Sequence, residues 1–192
     1  MLAVVVVLFL VAGLSDSKIL SKCELKQQLE TGLSLPSTNS ADMLAQIVCH
    51  VQNSSSFNTS AIKTIPEPEE PHGNHGSRHR RSPGGKKKGH PSSSESVENK
   101  SEVWTLYGLF QLSDHVVCNS TQSRALNLCG LTCTKLIDDN ISDDINCVQT
   151  LINAVTAQIP DPNIVKHIRE MISLIYQPEC NMVKATSYFA DC

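Results

Sequence analysis

Eight cysteines constrain this chain more than any other feature, and six of them fall between residues 118 and 192. They follow an almost wholly apolar opening, residues 2–14, too short to cross a bilayer comfortably and of signal-peptide length. No basic residue precedes that core, but Ser15 and Ser17 fit a small-residue cleavage site. This predicts a signal peptide over 1–17 and a mature start near Lys18. In a secreted setting an even cysteine count reads as a framework of four disulfides. Cys129-x3-Cys133 also resembles zinc-ligand spacing, a reading that the compartment disfavours. Spacing alone does not choose among about a hundred pairings. No other apolar run is long enough to span a membrane. With aromatics at 4% and net charge −3, the chain shows no nucleic-acid binding surface.

Ser21-Lys22-Cys23-Glu24 is a capping box, so a helix starts there, carries Leu25 and Leu29 inward, and ends near Gly32 and Pro36. Ser40 is expected to cap a second helix with an inward stripe of Leu44, Ile47, Val48 and Val51. Asn53 to Ser60 reads as a polar turn. Residues 66–102 are rich in Pro, Gly, Ser, His and charge, with Val97 their one aliphatic larger than Ala. Such a segment cannot bury enough apolar surface to order itself, which predicts a disordered insertion. Its stretch from His72 to Pro91 carries +6, leaving the rest of the mature chain near −8. Val103 to Tyr107 favours a strand. Ser142 is expected to cap a helix through Ile145, Val148, Leu151, Ile152 and Val155. Asp161-Pro162 starts another, with Ile164, Ile168, Met171, Ile172 and Ile175 on its apolar face, stopped by Pro178.

The stretch from Lys135 to Asp144 holds Asp138, Asp139, Asp143 and Asp144, four carboxylates within seven residues. Two readings stand at this point. Hard oxygen ligands at that density suit Ca²⁺; equally, Asp143 and Asp144 complement a helix dipole after the Ser142 cap. An EF-hand does not fit, because Asp143 falls where the turn glycine is needed and Gln149 where the closing Glu is needed.

Cys118, Cys129, Cys133 and Cys147 with this acidic loop resemble the α-lactalbumin and calcium-binding C-type lysozyme family (glycoside hydrolase family 22). Lys22-Cys23-Glu24-Leu25, Phe57-Asn58-Thr59-x-Ala61 and Tyr107-Gly108-Leu109-Phe110-Gln111-Leu112 match the same family in the same order. The resemblance covers roughly 18–65 and 103–192; the insertion has no counterpart. It implies an α+β, lysozyme-like fold in one domain over 18–192, a helical part and a small antiparallel β-subdomain with a cleft between them. It also implies the pairs Cys23–Cys192, Cys49–Cys180, Cys118–Cys133 and Cys129–Cys147. The family's Ca²⁺ site would place side-chain oxygens of Asp138, Asp143 and Asp144 with backbone carbonyls of Lys135 and Asn140. Asn140 stands where the family has Asp, a harmless exchange if only its carbonyl binds.

Hydrolysis in that family needs a protonated acid and a second carboxylate. The resemblance puts Ser54 at the first position and Leu106 at the second, and neither side chain can do the work of a carboxyl group. The nearest acids in sequence to Ser54, Asp42 and Glu67, are not expected to replace it. His50 is expected to be partly exposed and to face elsewhere. Val116 and Val117 stand where lysozymes place Trp, and Trp104 reads as packing. The surface by which α-lactalbumin modifies a glycosyltransferase is also not kept, since Gln52, Asn53, Phe189 and Ala190 occupy it.

Arg78-His79-Arg80-Arg81 resembles a proprotein-convertase site, with cleavage after Arg81; an uncut polybasic linker is the alternative. The same stretch, with His72, His75, His79 and His90, could bind anionic surfaces. Sequons stand at Asn53, Asn58, Asn99, Asn119 and Asn140, the last hard to reconcile with bound Ca²⁺. The leading expectation is a secreted, extracellular Ca²⁺-binding glycoprotein of lysozyme fold that lacks muramidase activity and binds an unidentified protein or glycan. Alternatives are a glycoside hydrolase with relocated acids, a glycosyltransferase modifier, and an antimicrobial or anionic-surface binder acting through the basic loop.

Overall fold

The computed structural model describes residues 18–68, 103–121 and 125–192. The signal peptide predicted over 1–17, nearly all of the insertion, Arg81 and Asn99 lie outside the described residues.

Helix α1 spans Lys22–Gly32. Its capping box is formed: Glu24 N donates to Ser21 Oγ at 3.2 Å, and Ser21 N donates to Glu24 Oε2 at 2.8 Å. Leu25 and Leu29 are buried. Gly32 packs tightly against Ile145, since a Cβ there would stand 2.7 Å from Ile145 Cγ2. Helix α2 spans Ser40–Ser54; Asn39 rather than Ser40 holds the N-cap position, without a side-chain capping hydrogen bond. Asn53 and Ser54, expected in a polar turn, are its last helical residues. Its stripe of Leu44, Ile47, Val48 and Val51 is buried, as expected from the spacing.

Strand β1, Ile62–Pro66, runs antiparallel to β2, Val103–Tyr107, with Ile62 opposite Tyr107 and Pro66 opposite Val103. The insertion therefore begins later than its composition suggests: Pro66 ends a strand. β1 is the edge of the sheet, where a residue without an N–H is tolerated. β3, Leu112–Ser113, pairs on the other side of β2, with Ser113 opposite Leu106. A short parallel pair, β4 (Cys118–Asn119) and β5 (Leu131–Thr132), precedes a 3₁₀ segment, Cys133–Ile137.

Helix α3 spans Ile141–Thr156, and its cap is Asn140, not Ser142: the Asn140 side chain accepts from Ser142 N. Helix α4 spans Pro162–Ile175 behind the Asp161 cap, with Ile168, Met171 and Ile175 buried. Pro178 opens a 3₁₀ turn after it, and α5 is the short Ala185–Tyr188. Four disulfides tie the elements: Cys23–Cys192, Cys49–Cys180, Cys118–Cys133 and Cys129–Cys147. Cys129 and Cys133 thus sit in separate bridges rather than in a zinc site. One apolar cluster runs from Leu25 and Leu29 through α2 and the sheet to Leu151 and Ile175. Among the described residues no helix is long and apolar enough to cross a membrane.

Candidate calcium loop and the groove beside it

The acidic loop is gripped from both ends. Cys118–Cys133 anchors the 3₁₀ segment that leads into it, and Cys129–Cys147 anchors α3, which leaves it. The Tyr107-Gly108 turn leans on it from outside. Gly108 has φ +72°, a Cβ there would run into the Leu136 carbonyl oxygen, and it would lie 3.2 Å from Asp144 Oδ1. Only glycine fits both the backbone conformation and the space.

Each acid in the loop has its own role. Asp139 accepts from Thr59 Oγ1 at 3.2 Å, which tethers the loop to the chain after α2. Asp138 Oδ1 accepts from Asn140 N at 2.9 Å, and its Oδ2 lies 3.4 Å from Lys135 Nζ. Asn140 spends its side chain on the helix cap. Asp143 and Asp144 stand in the first turn of α3, but they are more than dipole partners. Asp143 Oδ1 and Asp144 Oδ2 are buried with no hydrogen-bond partner among the described residues. Buried carboxylate oxygens without partners are expensive, and a cation relieves them. Burial, and next the charges of Asp143 and Asp138, push the Asp144 carboxyl up to about 8. The donor chemistry suits Ca²⁺: hard oxygens, two of them orphaned, in a braced loop. Loading it would draw Asp138 away from Lys135. Asp138, Asp143 and Asp144, with the carbonyls of Lys135 and Asn140, are the residues that would hold it.

The residues expected to line the groove beside the loop are buried in packing. Leu106 is 5% exposed and faces the interior of the sheet with the fully buried Trp104. Opposite Leu106, the buried Ser113 N–H points at Met171 Sδ of α4, 3.3 Å away. Trp104 stacks on His115, ring centroids 5.9 Å apart, and lies 6.2 Å from His167 of α4. Val116 and Val117 are fully buried. α4 thus meets the sheet at Met171, beside Ser113, and at His167, beside Trp104.

At the other expected catalytic position, Ser54 Oγ lies 3.4 Å from His50 Nε2. His50 is not the partly exposed residue expected: it is 1% exposed and shares a helix face with Ser54. Its Nε2–H is committed to the Phe110 carbonyl at 3.0 Å, so the lone pair sits on Nδ1, which is buried without a partner. The pair is therefore no serine–base dyad. Burial holds the His50 imidazole below its ordinary range, against the raising effect of the Phe110 hydrogen bond.

Glu67, expected to be loose in the insertion, is held instead: Lys166 Nζ donates to its Oε1 at 3.2 Å. Asp42 lies far from Ser54's role, capped by Ala185 N and Lys184. Of the modifier positions, Gln52 accepts from Tyr188 OH at 2.6 Å, and Phe189 packs edge-on to Tyr188 at 5.1 Å. Of the sequon residues, Asn53 and Asn119 are exposed, whereas Asn58 Oδ1 accepts from Ser60 N at 2.9 Å.

A helical part, a small antiparallel sheet, four bridges and an acidic loop before α3 define a lysozyme-like fold. The family described as C-type lysozyme/alpha-lactalbumin matches residues 90–160. Lysozyme C of Equus asinus is 34% identical over 76 residues, 40% of this chain and 59% of that protein. Alpha-lactalbumin of Papio cynocephalus is 45% identical over 58 residues, 30% of this chain and 46% of that protein. The chain thus spans about half the length of these curated relatives. The solved structure of canine milk lysozyme, holo-type, is 27% identical, with 92% of this chain and 98% of that chain covered and a TM-score of 0.53. Over residues 90–160 the chain is similar to the C-type lysozyme/alpha-lactalbumin family, and its fold is that of the solved milk lysozyme.

Proposed function

We propose that this chain is a secreted, extracellular calcium-binding protein of lysozyme fold that does not cleave glycosides and acts by binding a protein or a glycan. One observation carries the reading: Leu106, at the position of a catalytic carboxylate, is a buried core residue whose strand partner Ser113 is covered by Met171. A general acid and a stabilising carboxylate must both face the scissile bond. Ser54 and Leu106 supply neither. The orphaned oxygens of Asp143 and Asp144 favour retention of the metal loop while the chemistry of the groove is lost. Eight paired cysteines suit an oxidising compartment.

The test is turnover of peptidoglycan and chitooligosaccharide by the calcium-loaded, disulfide-intact protein. No release of reducing ends above buffer is the outcome this reading requires. Turnover that disappears in E67Q or E170Q would instead assign the chain to hydrolases with relocated acids.

A further inference from the structure

We propose a second metal site, distinct from the calcium loop, in which Glu67, His167 and Glu170 bind one divalent transition-metal ion of the Zn²⁺ class. Among the described residues these three form the set of His, Cys, Asp or Glu ligand atoms lying within 4.8 Å of one another. His167 and Glu170 share a face of α4 at a spacing of three. Glu67 reaches them from the chain just beyond β1, so two distant parts of the sequence converge. One imidazole nitrogen and two carboxylates, with the remaining position left to water, is the donor set of a three-ligand zinc site.

The present arrangement is undercompensated. Glu170 is 4% exposed, and a single ammonium, Lys166 Nζ, lies 3.2 Å from Oε1 of Glu170 and 3.2 Å from Oε1 of Glu67. Lys166 is itself 42% exposed at its side chain, so it caps the pair from outside. Glu170 Oε2 and His167 Nδ1 are buried with no hydrogen-bond partner among the described residues. His167 Nε2 stands 3.9 Å from Glu67 Oε1. One cation facing two carboxylates, with acceptor atoms left over inside, is the situation a divalent ion resolves: it would displace Lys166 toward solvent and engage the orphaned oxygen. The soft-to-borderline nitrogen separates this site from the all-oxygen calcium loop, so the two ions would sort by chemistry.

Trp104, the one tryptophan of the chain, provides the readout, because its ring lies 6.2 Å from that of His167. Co²⁺ is titrated into the full-length protein in excess Ca²⁺, and Trp104 fluorescence is followed. The proposal expects saturable quenching with one ion per chain, reversed by Zn²⁺. It expects at least a tenfold loss of apparent affinity in H167Q and in E67Q, the latter lying outside α4 should H167Q fail to fold. K166M should tighten binding several-fold, and D143N should leave it unchanged. Quenching that survives in both H167Q and E67Q, or vanishes when His72, His75, His79 and His90 are replaced by Ser, overturns the proposal. So does the absence of quenching at millimolar Co²⁺. None of these readouts depends on hydrolysis, so the assay above and this one fail separately.

Discussion

The backbone N–H of Ser113 points at the thioether of Met171, 3.3 Å away, and both residues are fully buried. This contact joins β3 to α4 beside Leu106, the residue proposed to stand at a catalytic carboxylate position. Leu106 itself is buried, opposite Ser113 in the sheet.

Met171→Ala should therefore cost about 2–5 kcal/mol of unfolding free energy, the usual penalty for emptying a buried long aliphatic side chain. The midpoint of chemical denaturation at saturating calcium measures it. A loss below ~1 kcal/mol would mean that α4 does not pack as described. The cavity should not confer hydrolysis, because no carboxylate is restored.

Gly108→Ala should be worse than its single methyl suggests. The residue would need φ +72° and would drive Cβ into the Leu136 carbonyl, inside the candidate calcium loop. Destabilisation of at least ~2 kcal/mol is expected, accompanied by weaker calcium binding. Calorimetric calcium titration of the variant checks the second part. Unchanged calcium affinity would uncouple the turn from the loop.

His50 makes stability fall on mild acidification. Its folded-state pKa is held below 6.5 by burial, so between that folded value and 6.5 the unfolded chain binds more protons than the native one. Stability from this group is complete above about 6.5 and declines as pH falls toward the folded value. Denaturation midpoints taken at saturating calcium between pH 8 and pH 5 should drop. His50→Gln, which keeps a donor for the Phe110 carbonyl, should flatten that slope.

Asp144 works in the other direction in metal-free protein. Its folded-state value of about 8 lies above the ordinary 3.8, so the native state binds the extra proton and stability falls as pH rises through that interval. Calcium, by holding the carboxylate ionised, should abolish the trend. Melting temperatures in chelator at pH 5 and pH 8, with and without Asp144→Asn, separate this contribution from that of His50.

How much of this was legible in the sequence depends on the range of the interaction. The capping box at Ser21 and Glu24 and the Asp161-Pro162 start are local, and the structure has both. Where two cap-capable residues sit close together, composition picks the wrong one: Asn39 stands beside Ser40, and Asn140 precedes Ser142. β1 escaped notice because its partner β2 begins beyond the insertion and the strand itself is only five residues, ending in proline. His50 is buried because its ring meets the Phe110 carbonyl, 60 residues on. Glu67 is held by Lys166, 99 residues away. No periodicity encodes such contacts. The four carboxylates of the acidic loop are plain in the sequence and the resemblance supplied its bridges; the Met171–Ser113 contact and the Glu67–His167–Glu170 cluster emerge only from tertiary packing.

The central proposal is that the acidic loop binds calcium in the native fold. Melting temperature as a function of free calcium tests it most directly, because a ligand bound only by the native state stabilises by about 2.7 kcal/mol at a hundredfold excess over Kd. The account predicts a melting temperature that climbs with calcium in the wild-type chain and stays level in Asp143→Asn. A curve that is flat up to millimolar calcium in the disulfide-intact wild type would contradict it.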